Sequence, residues 1–323
     1  MDFFAGLQIG VVTAFQPMNL MYCFIGVLIG TLIGVLPGIG TSGAVAILMP
    51  ATFTMSPVSA IIMLSGIYYG AMYGGSTTSI LVNIPGEAAS VVTCFDGYQM
   101  ARQGKAGRAL GISAFGSFIA GVFGVAMISL MAPSLSRLAF DFGPPEFFGL
   151  MVLGLTLSTF LGSGSMVKAL LMVALGLVLG CVGMDPISGT PRLTYGIKPL
   201  LDGFDMVPVV MGLFGISEVL FNLEQQEKRE VYETKIKGLL PNREDWKRSW
   251  APITRGSILG FFVGVIPGGT AVISSFVSYA VEKRISKHPE EFGKGAIEGV
   301  AGPESANNAA TFGSMVPLLT LGI

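Results

Sequence analysis

Apolar runs of about membrane-spanning length, separated by short polar loops, set the pattern of this chain. They cover 18–53, 58–84, 110–132, 146–161, 167–184, 206–221 and 257–281, and a last run begins near Gly302. A polar loop at 85–108 carries Glu87, Asp96, Arg102 and Lys105. The one long hydrophilic stretch is 222–255. It divides the chain into a first transmembrane repeat with connecting spans (1–221), a charged linker (222–255) and the start of an incomplete second repeat (256–323).

Two of the runs are interrupted in the same way. GTLIGVLPG, from Gly30 to Gly38, returns as GFFVGVIPG, from Gly260 to Gly268, with Gly30, Gly34, Val35, Pro37 and Gly38 recurring at a constant offset of 230. Each copy is an apolar helical run broken by Pro-Gly and followed by small hydroxyl residues: Thr41 and Ser42 in one, Thr270, Ser274 and Ser275 in the other. A repeated, broken hydrophobic helix is the sequence pointer to a transporter binding site. The alternative is a pair of proline-kinked helices that pack through glycine, since both residues are common in membrane helices.

Composition fixes the class. Of 323 residues, 51% are hydrophobic and 12% charged, with mean hydropathy +0.69, against about 25% charged in soluble domains. The pattern is that of an all-α, polytopic integral membrane protein in the lipid bilayer. Forty-five glycines suit closely packed and broken helices. The net charge of −1 and the lack of a basic stripe give no sign of nucleic-acid binding. Cys23, Cys94 and Cys181 lack paired spacing and read as small hydrophobes. The first 15 residues carry no Lys or Arg, so they read as an interfacial or first membrane segment and not as a signal peptide.

Positive charge then orients the chain. If each broken segment is a re-entrant hairpin, the loops after Ile84, Leu161, Phe221 and Val281 share the cytoplasmic side and hold 3, 1, 8 and 4 Lys or Arg, together 16 of 19. Arg137, Arg192 and Lys198 remain opposite. The hairpins then enter from opposite faces, which is an inverted repeat.

Backbone groups freed at a break inside the membrane must face protein or a wet cavity. A helix N-terminus there offers N–H donors and partial positive charge to an anion. Gly38, Gly40, Gly268 and Gly269 permit close approach and Thr41, Ser42 and Thr270 add hydroxyls, a donor set that suits a carboxylate. Freed carbonyls suit a sodium ion. In GPESANNAATFGS, Pro303 suits the first turn of a helix, and Glu304, Asn307, Asn308, Thr311 and Ser314 share one face. Such a stripe is costly in a membrane unless it meets a cavity or partner. Glu304, with Ser305, Asn307 and Asn308, is therefore the candidate cation or proton site; the alternative is a solvated helix start. Aligning Ile84 with Ile323 pairs Gly74 with Gly313 and Ala71 with Ala310, making YGGSTTSILVNIPGE the counterpart in the first half. Thr77, Thr78 and Asn83 there are candidates for the substrate cavity, unless the threonines bond back to their own helix. A single histidine, His288 in a charged loop, speaks against an intramembrane hydrolase; a channel or scaffold is the other alternative.

GVLPGIGTSGAVAILMP, YGGSTTSILVNIPGE, GVIPGGTAVISSFVSYAVEK and GVAGPESANNAATFGSMVPLLTLGI strongly resemble the large permease subunit of the tripartite tricarboxylate transporters, the TctA type. The resemblance implies a secondary transporter of a bacterial inner membrane that imports citrate or other organic carboxylates on a cation gradient, usually sodium. It further implies a small membrane subunit, a periplasmic solute-binding protein and no catalytic role. The family's pattern continues with Pro-Gly and further spans after the last motif, so the sequence reads as a C-terminally truncated permease.

Overall fold

A computed structural model describes residues 3–36, 39–140, 165–185, 188–204, 238–266 and 270–321, with isolated positions within 143–152 and 209–224. Most of the runs read at 146–161 and 206–221, and the linker residues 222–223 and 225–237, lie outside the described residues. Apart from a two-residue antiparallel hairpin, β1 (Gly183–Met184) with β2 (Pro191–Arg192), the described chain is helical or irregular.

The helices are α1 (Phe3–Ala14), α2 (Pro17–Gly34), α3 (Gly40–Leu48) and α4 (Pro57–Val82), then two short pieces, α5 (Val91–Thr93) and α6 (Gln99–Arg102), around a π-helical turn at Cys94–Tyr98. After these come α7 (Ala106–Phe140), α8 (Met166–Gly180), α9 (Arg243–Val265), α10 (Ala271–Ile285) and α11 (Glu298–Leu321). Their starts follow local chemistry. Pro57 opens α4 behind Ser56, whose hydroxyl accepts from the Ser59 amide at 3.2 Å. Asn242 and Asp245 cap α9 reciprocally, at 2.8 and 2.9 Å. This capping starts α9 at Arg243, inside the stretch read as linker; its polar first turns hide it from a hydropathy reading.

Three described helices are long and apolar enough to cross a membrane: α2, α4 and the part of α7 over 106–131. At 12 residues, α1 is too short to span. The outward faces of α2 and α7 are apolar, with Phe24 at 68%, Leu32 at 63% and Phe118 at 69% exposure. Water does not favour such faces; lipid does.

Glycine spacing sets how the helices meet. Gly26, Gly30 and Gly34 of α2 press on the backbone of Met63, Ile67 and Ala71 in α4, and a Cβ at Gly30 would lie 2.1 Å from the Ile67 carbonyl oxygen. Gly66, Gly70 and Gly74 of α4 return the contact against Cys23, Val27 and Thr31. The pair α9 and α11 repeats this packing. Gly256, Gly260 and Gly264 press on Gly302, Ala306 and Ala310, and a Cβ at Gly313 would lie 2.2 Å from the Phe261 carbonyl oxygen. Those positions follow the first pair at offsets of 230 and 239, so the weak match of Gly74 with Gly313 and Ala71 with Ala310 is a match of packing roles. Small residues at such contacts let helix backbones approach closely.

The second helix of this second pair, α11, is the centre of the described structure. Every residue from Gly299 to Thr311 is buried, between α9, α7, α10 and α5. Val300 of α11 joins Ile80 of α4, Ile112 of α7 and Ile253 of α9 in one apolar cluster. The helix begins at Glu298, so Pro303 stands well inside it and not in its first turn. Asp96 accounts for that earlier start. Its Oδ1 accepts from the amides of Gly293, Gly295 and Ala296, each at 2.8 Å, and its Oδ2 from the Tyr279 hydroxyl at 2.9 Å.

At the same end, Arg248 donates to Glu298 at 2.7 and 2.8 Å and to Glu291 at 2.5 Å. Arg255 forks onto buried Glu282 at 2.9 and 2.5 Å. The hydrogen bond from Arg248 holds the Glu291 carboxyl below the usual carboxylate range. A lowered folded value means that this tie is in place at neutral pH and is lost as pH falls through that value.

Gly30→Ala and Gly260→Ala should each lower stability by about 1–3 kcal/mol, the range for overpacking. Gly10→Ala, with nothing within 4 Å of the added carbon, should be neutral or stabilising. Thermal unfolding in detergent reads the difference.

Candidate functional site

The two helix interruptions open onto one cavity. Between α2 and α3 the helical path stops after Gly34 and resumes at Gly40; between α9 and α10 it stops after Val265 and resumes at Ala271. The starts of α3 and α10 then line a common space of about 630 Å³. Gly40, Thr41 and Ser42 contribute from the first, Thr270, Ala271 and Val272 from the second, and Tyr68, Glu87 and Val91 complete the wall. Gly40 takes φ +65°, a left-handed conformation that favours glycine, so the chain can turn into α3 there. Thr270 caps α10 by accepting from the Ile273 amide at 3.3 Å.

The first turn of any helix presents unpaired N–H groups and a partial positive charge. Two such turns facing one space make a donor set for an anion. No Lys, Arg or His lines the cavity among the described residues. Gly40, Thr41, Ser42 and Thr270 thus share one wall, while Gly38, Gly268 and Gly269 lie outside the described residues. Thr77 and Thr78 do not line it: their hydroxyls donate back to the carbonyls of Tyr73 and Gly75, both at 2.9 Å. Asn83 does not either; it ends α4 in a left-handed conformation, exposed.

A second polar locus sits on α11, none of whose described residues lines the cavity. Glu304 is 1% exposed. Its oxygens accept from the hydroxyls of Ser76 on α4, at 2.9 Å to each, Thr93 on α5, and Ser113 on α7 at 3.1 Å, and the Asn307 side chain also faces it. Asn308 donates to Ser117 at 2.8 Å and to Asn307 Oδ1 at 2.7 Å. Ser305 donates to the Ala301 carbonyl at 2.8 Å and stays outside this group. Carboxylate, hydroxyl and amide oxygens gathered here are the ligand type a hard cation such as sodium takes.

The Tyr68 phenol faces the hydroxyls of both Thr41 and Thr311. It stands between the cavity and the polar stripe of α11.

Sequence reasoning missed Tyr68 and Glu87 in the cavity, and Ser76, Thr93, Ser113 and Ser117 around the polar stripe. A usable signal was the Gly74-Gly75-Ser76 run: the glycine-bearing face of α4 is its packed face, and Ser76 adjoins it.

A bundle of apolar-faced helices, two of them interrupted and the central one bearing buried polar groups, is the build of a polytopic helical membrane protein. Residues 20–323 match the tripartite tricarboxylate transporter TctA family, to which the chain belongs. It is 54% identical, over all 323 residues, to an uncharacterized 52.8 kDa protein in the TAR-I ttuC' 3' region of Agrobacterium vitis. It spans 64% of that protein's length. Over 64 residues, 20% of this chain and 26% of the relative, it is 69% identical to an uncharacterized protein in the TAR-II ttuC' 3' region of the same organism. No solved structure matches it.

Thr93→Val keeps the side-chain shape but removes one donor to a buried carboxylate. A loss of about 1–3 kcal/mol is expected in denaturant unfolding. Thr254→Val, whose exposed hydroxyl only bonds back to Trp250, should change stability little.

Proposed function

We propose that the protein is the permease of a secondary active transporter that imports organic carboxylates, tricarboxylates of the citrate kind or dicarboxylates, on a sodium or proton gradient. One observation carries this reading: the first turns of α3 and α10 face a single cavity that no basic side chain lines among the described residues. Backbone donors and the hydroxyls of Thr41, Ser42 and Thr270 would hold the carboxylates there, joined by Gly38, Gly40, Gly268 and Gly269 where the chain passes the ligand. Such donors recognise the carboxylate group and leave the carbon skeleton to the shape of the cavity.

Glu304, with the oxygens of Ser76, Thr93, Ser113 and Asn307, is the group we assign to the coupling cation. Transport then follows from alternating access, as one broken-helix unit moves against the other around the site. The two broken segments would be re-entrant hairpins of an inverted repeat. The cation-rich loops and the linker 222–255 would lie in the cytoplasm of a bacterial cell, with the protein in the inner membrane. The tripartite character of the family supports two partners, a small membrane subunit and a periplasmic solute-binding protein.

Uptake of labelled citrate, succinate and benzoate into proteoliposomes, with and without an inward sodium gradient, tests this reading. Gradient-dependent uptake of one of them is expected. Glu304→Gln should lower that uptake by roughly tenfold or more, a loss of at least about 1.4 kcal/mol, from protein that still elutes as a single folded species. Uptake of none of the three by folded protein supplied with its partners would count against the carboxylate reading, and unchanged sodium dependence in the variant would remove Glu304 from coupling.

A further inference from the structure

The cavity between α3 and α10 carries one carboxylate of its own. Glu87 stands in its wall, next to Gly86 and Ala88. One of its oxygens, Oε2, caps the following turn by accepting from the Ala89 amide at 3.2 Å, and the Glu87 amide in turn donates to Ser90 Oγ at 3.4 Å. The other oxygen, Oε1, is buried and has no hydrogen-bond partner among the described residues. Its backbone is held firmly: a Cβ at Gly75 would lie 2.8 Å from Glu87 Cγ, and one at Gly86 would lie 2.3 Å from the Gly34 carbonyl oxygen. Gly86 thus packs closely on Gly34 and Gly75, which fixes where Glu87 leaves the chain.

Among the described residues, the charges that face Glu87 do not balance it. From α4 comes the Tyr68 phenol, and from α11 the carboxyl of Glu304. From α3 come Thr41 and Ser42, and from α10 Thr270, Ala271 and Val272, none of them ionisable in the working range. The helix N-termini favour an anion in this space, while Glu87 opposes a second negative charge beside it. An anionic substrate and an ionised, half-bonded carboxylate share such a cavity only if a positive charge accompanies the substrate.

We propose that Glu87 is the group through which this cavity takes up a monovalent cation together with its anionic ligand. The cation is either a proton on Oε1 or a sodium ion between Oε1 and a ligand carboxylate. The inference rests on the carboxylate reading of the cavity and assigns its cation requirement to one residue, separate from the Glu304 cluster. Linkage is reciprocal: if the cation raises affinity for the carboxylate, the carboxylate raises affinity for the cation by the same factor.

Equilibrium binding of labelled citrate, succinate and benzoate to the purified protein tests this, in sodium and in choline buffers, at acidic and at alkaline pH. In the wild type, affinity for the bound acid should fall roughly tenfold or more between the most and least cation-rich conditions. Dependence on sodium at fixed pH assigns the ion as sodium; dependence on pH in choline assigns it as a proton. Glu87→Gln should bind the same acid with that dependence cut by severalfold, any remainder being what the Glu304 cluster contributes. A Glu87→Gln protein with the full wild-type dependence overturns the assignment. Glu87→Asp keeps the carboxylate and should keep the dependence; binding by that variant equally well with and without cations overturns the assignment even if Glu87→Gln does not fold. Wild-type protein that binds none of the acids in any buffer overturns the carboxylate reading itself, and this inference with it.

Discussion

A carboxylate buried in an apolar bundle must be given hydrogen-bond donors, and Glu304 obtains its donors from three different helices. That requirement fixes much else. Ser76 reaches it only if the glycine-bearing face of α4 turns inward. Thr93 reaches it only if the chain folds back after α4 instead of continuing outward, and Ser113 only if α7 crosses beside α11. Asp96 makes a similar demand further along the same fold-back, drawing the loop before α11 onto itself through three amides and a tyrosine hydroxyl. Two acidic groups on different elements thus hold α11 at the centre, one ahead of its first turn and one within its buried length.

Glycine contacts supply the complementary, apolar constraint. Lipid tails are as apolar as leucine, so helices in a membrane gain little from hiding apolar surface and more from close backbone contact. The α2–α4 and α9–α11 pairs reach that contact with three glycines of α2 and α9 at matching positions, and with Gly74 matched by Gly313. Because the two pairs are alike, the interruptions that follow α2 and α9 fall at equivalent places. This brings the starts of α3 and α10 to one cavity.

Charge is sorted in the same way. Arg248 and Arg255 are matched by Glu291, Glu298 and Glu282 near the start of α9, and no cation lines the cavity among the described residues. An anion placed there would meet only hydroxyls and backbone dipoles, which are fixed in place and need little reorganisation.

Much of this was legible in the chain itself. The repeated Gly-x-x-x-Gly-Val-x-Pro-Gly phrase, the apolar runs and the Glu304–Asn307–Asn308 stripe depend on spacing along one helix, and a helix converts spacing into a face without help from elsewhere. Thr41, Ser42 and Thr270 were found because they follow the breaks directly. The register of α4 was harder: Thr77 and Thr78 attract attention in the Ser-Thr-Thr-Ser run, but they bond to their own helix and Ser76 meets Glu304. The start of α9 at Arg243 was hidden because its polar first turns resemble a linker.

What the sequence by itself determined was the class of protein, its repeat and the faces of its helices, all consequences of local periodicity and of the poor solubility of bare backbone in lipid. Only the tertiary structure decided which hydroxyls satisfy Glu304 and that Asp96 anchors the start of α11. It alone brought Glu87, read from sequence as a loop residue, into the wall between the two breaks. Those are contacts between segments as many as 228 residues apart, and their partners are chosen by how the helices pack, which no single stretch of chain contains.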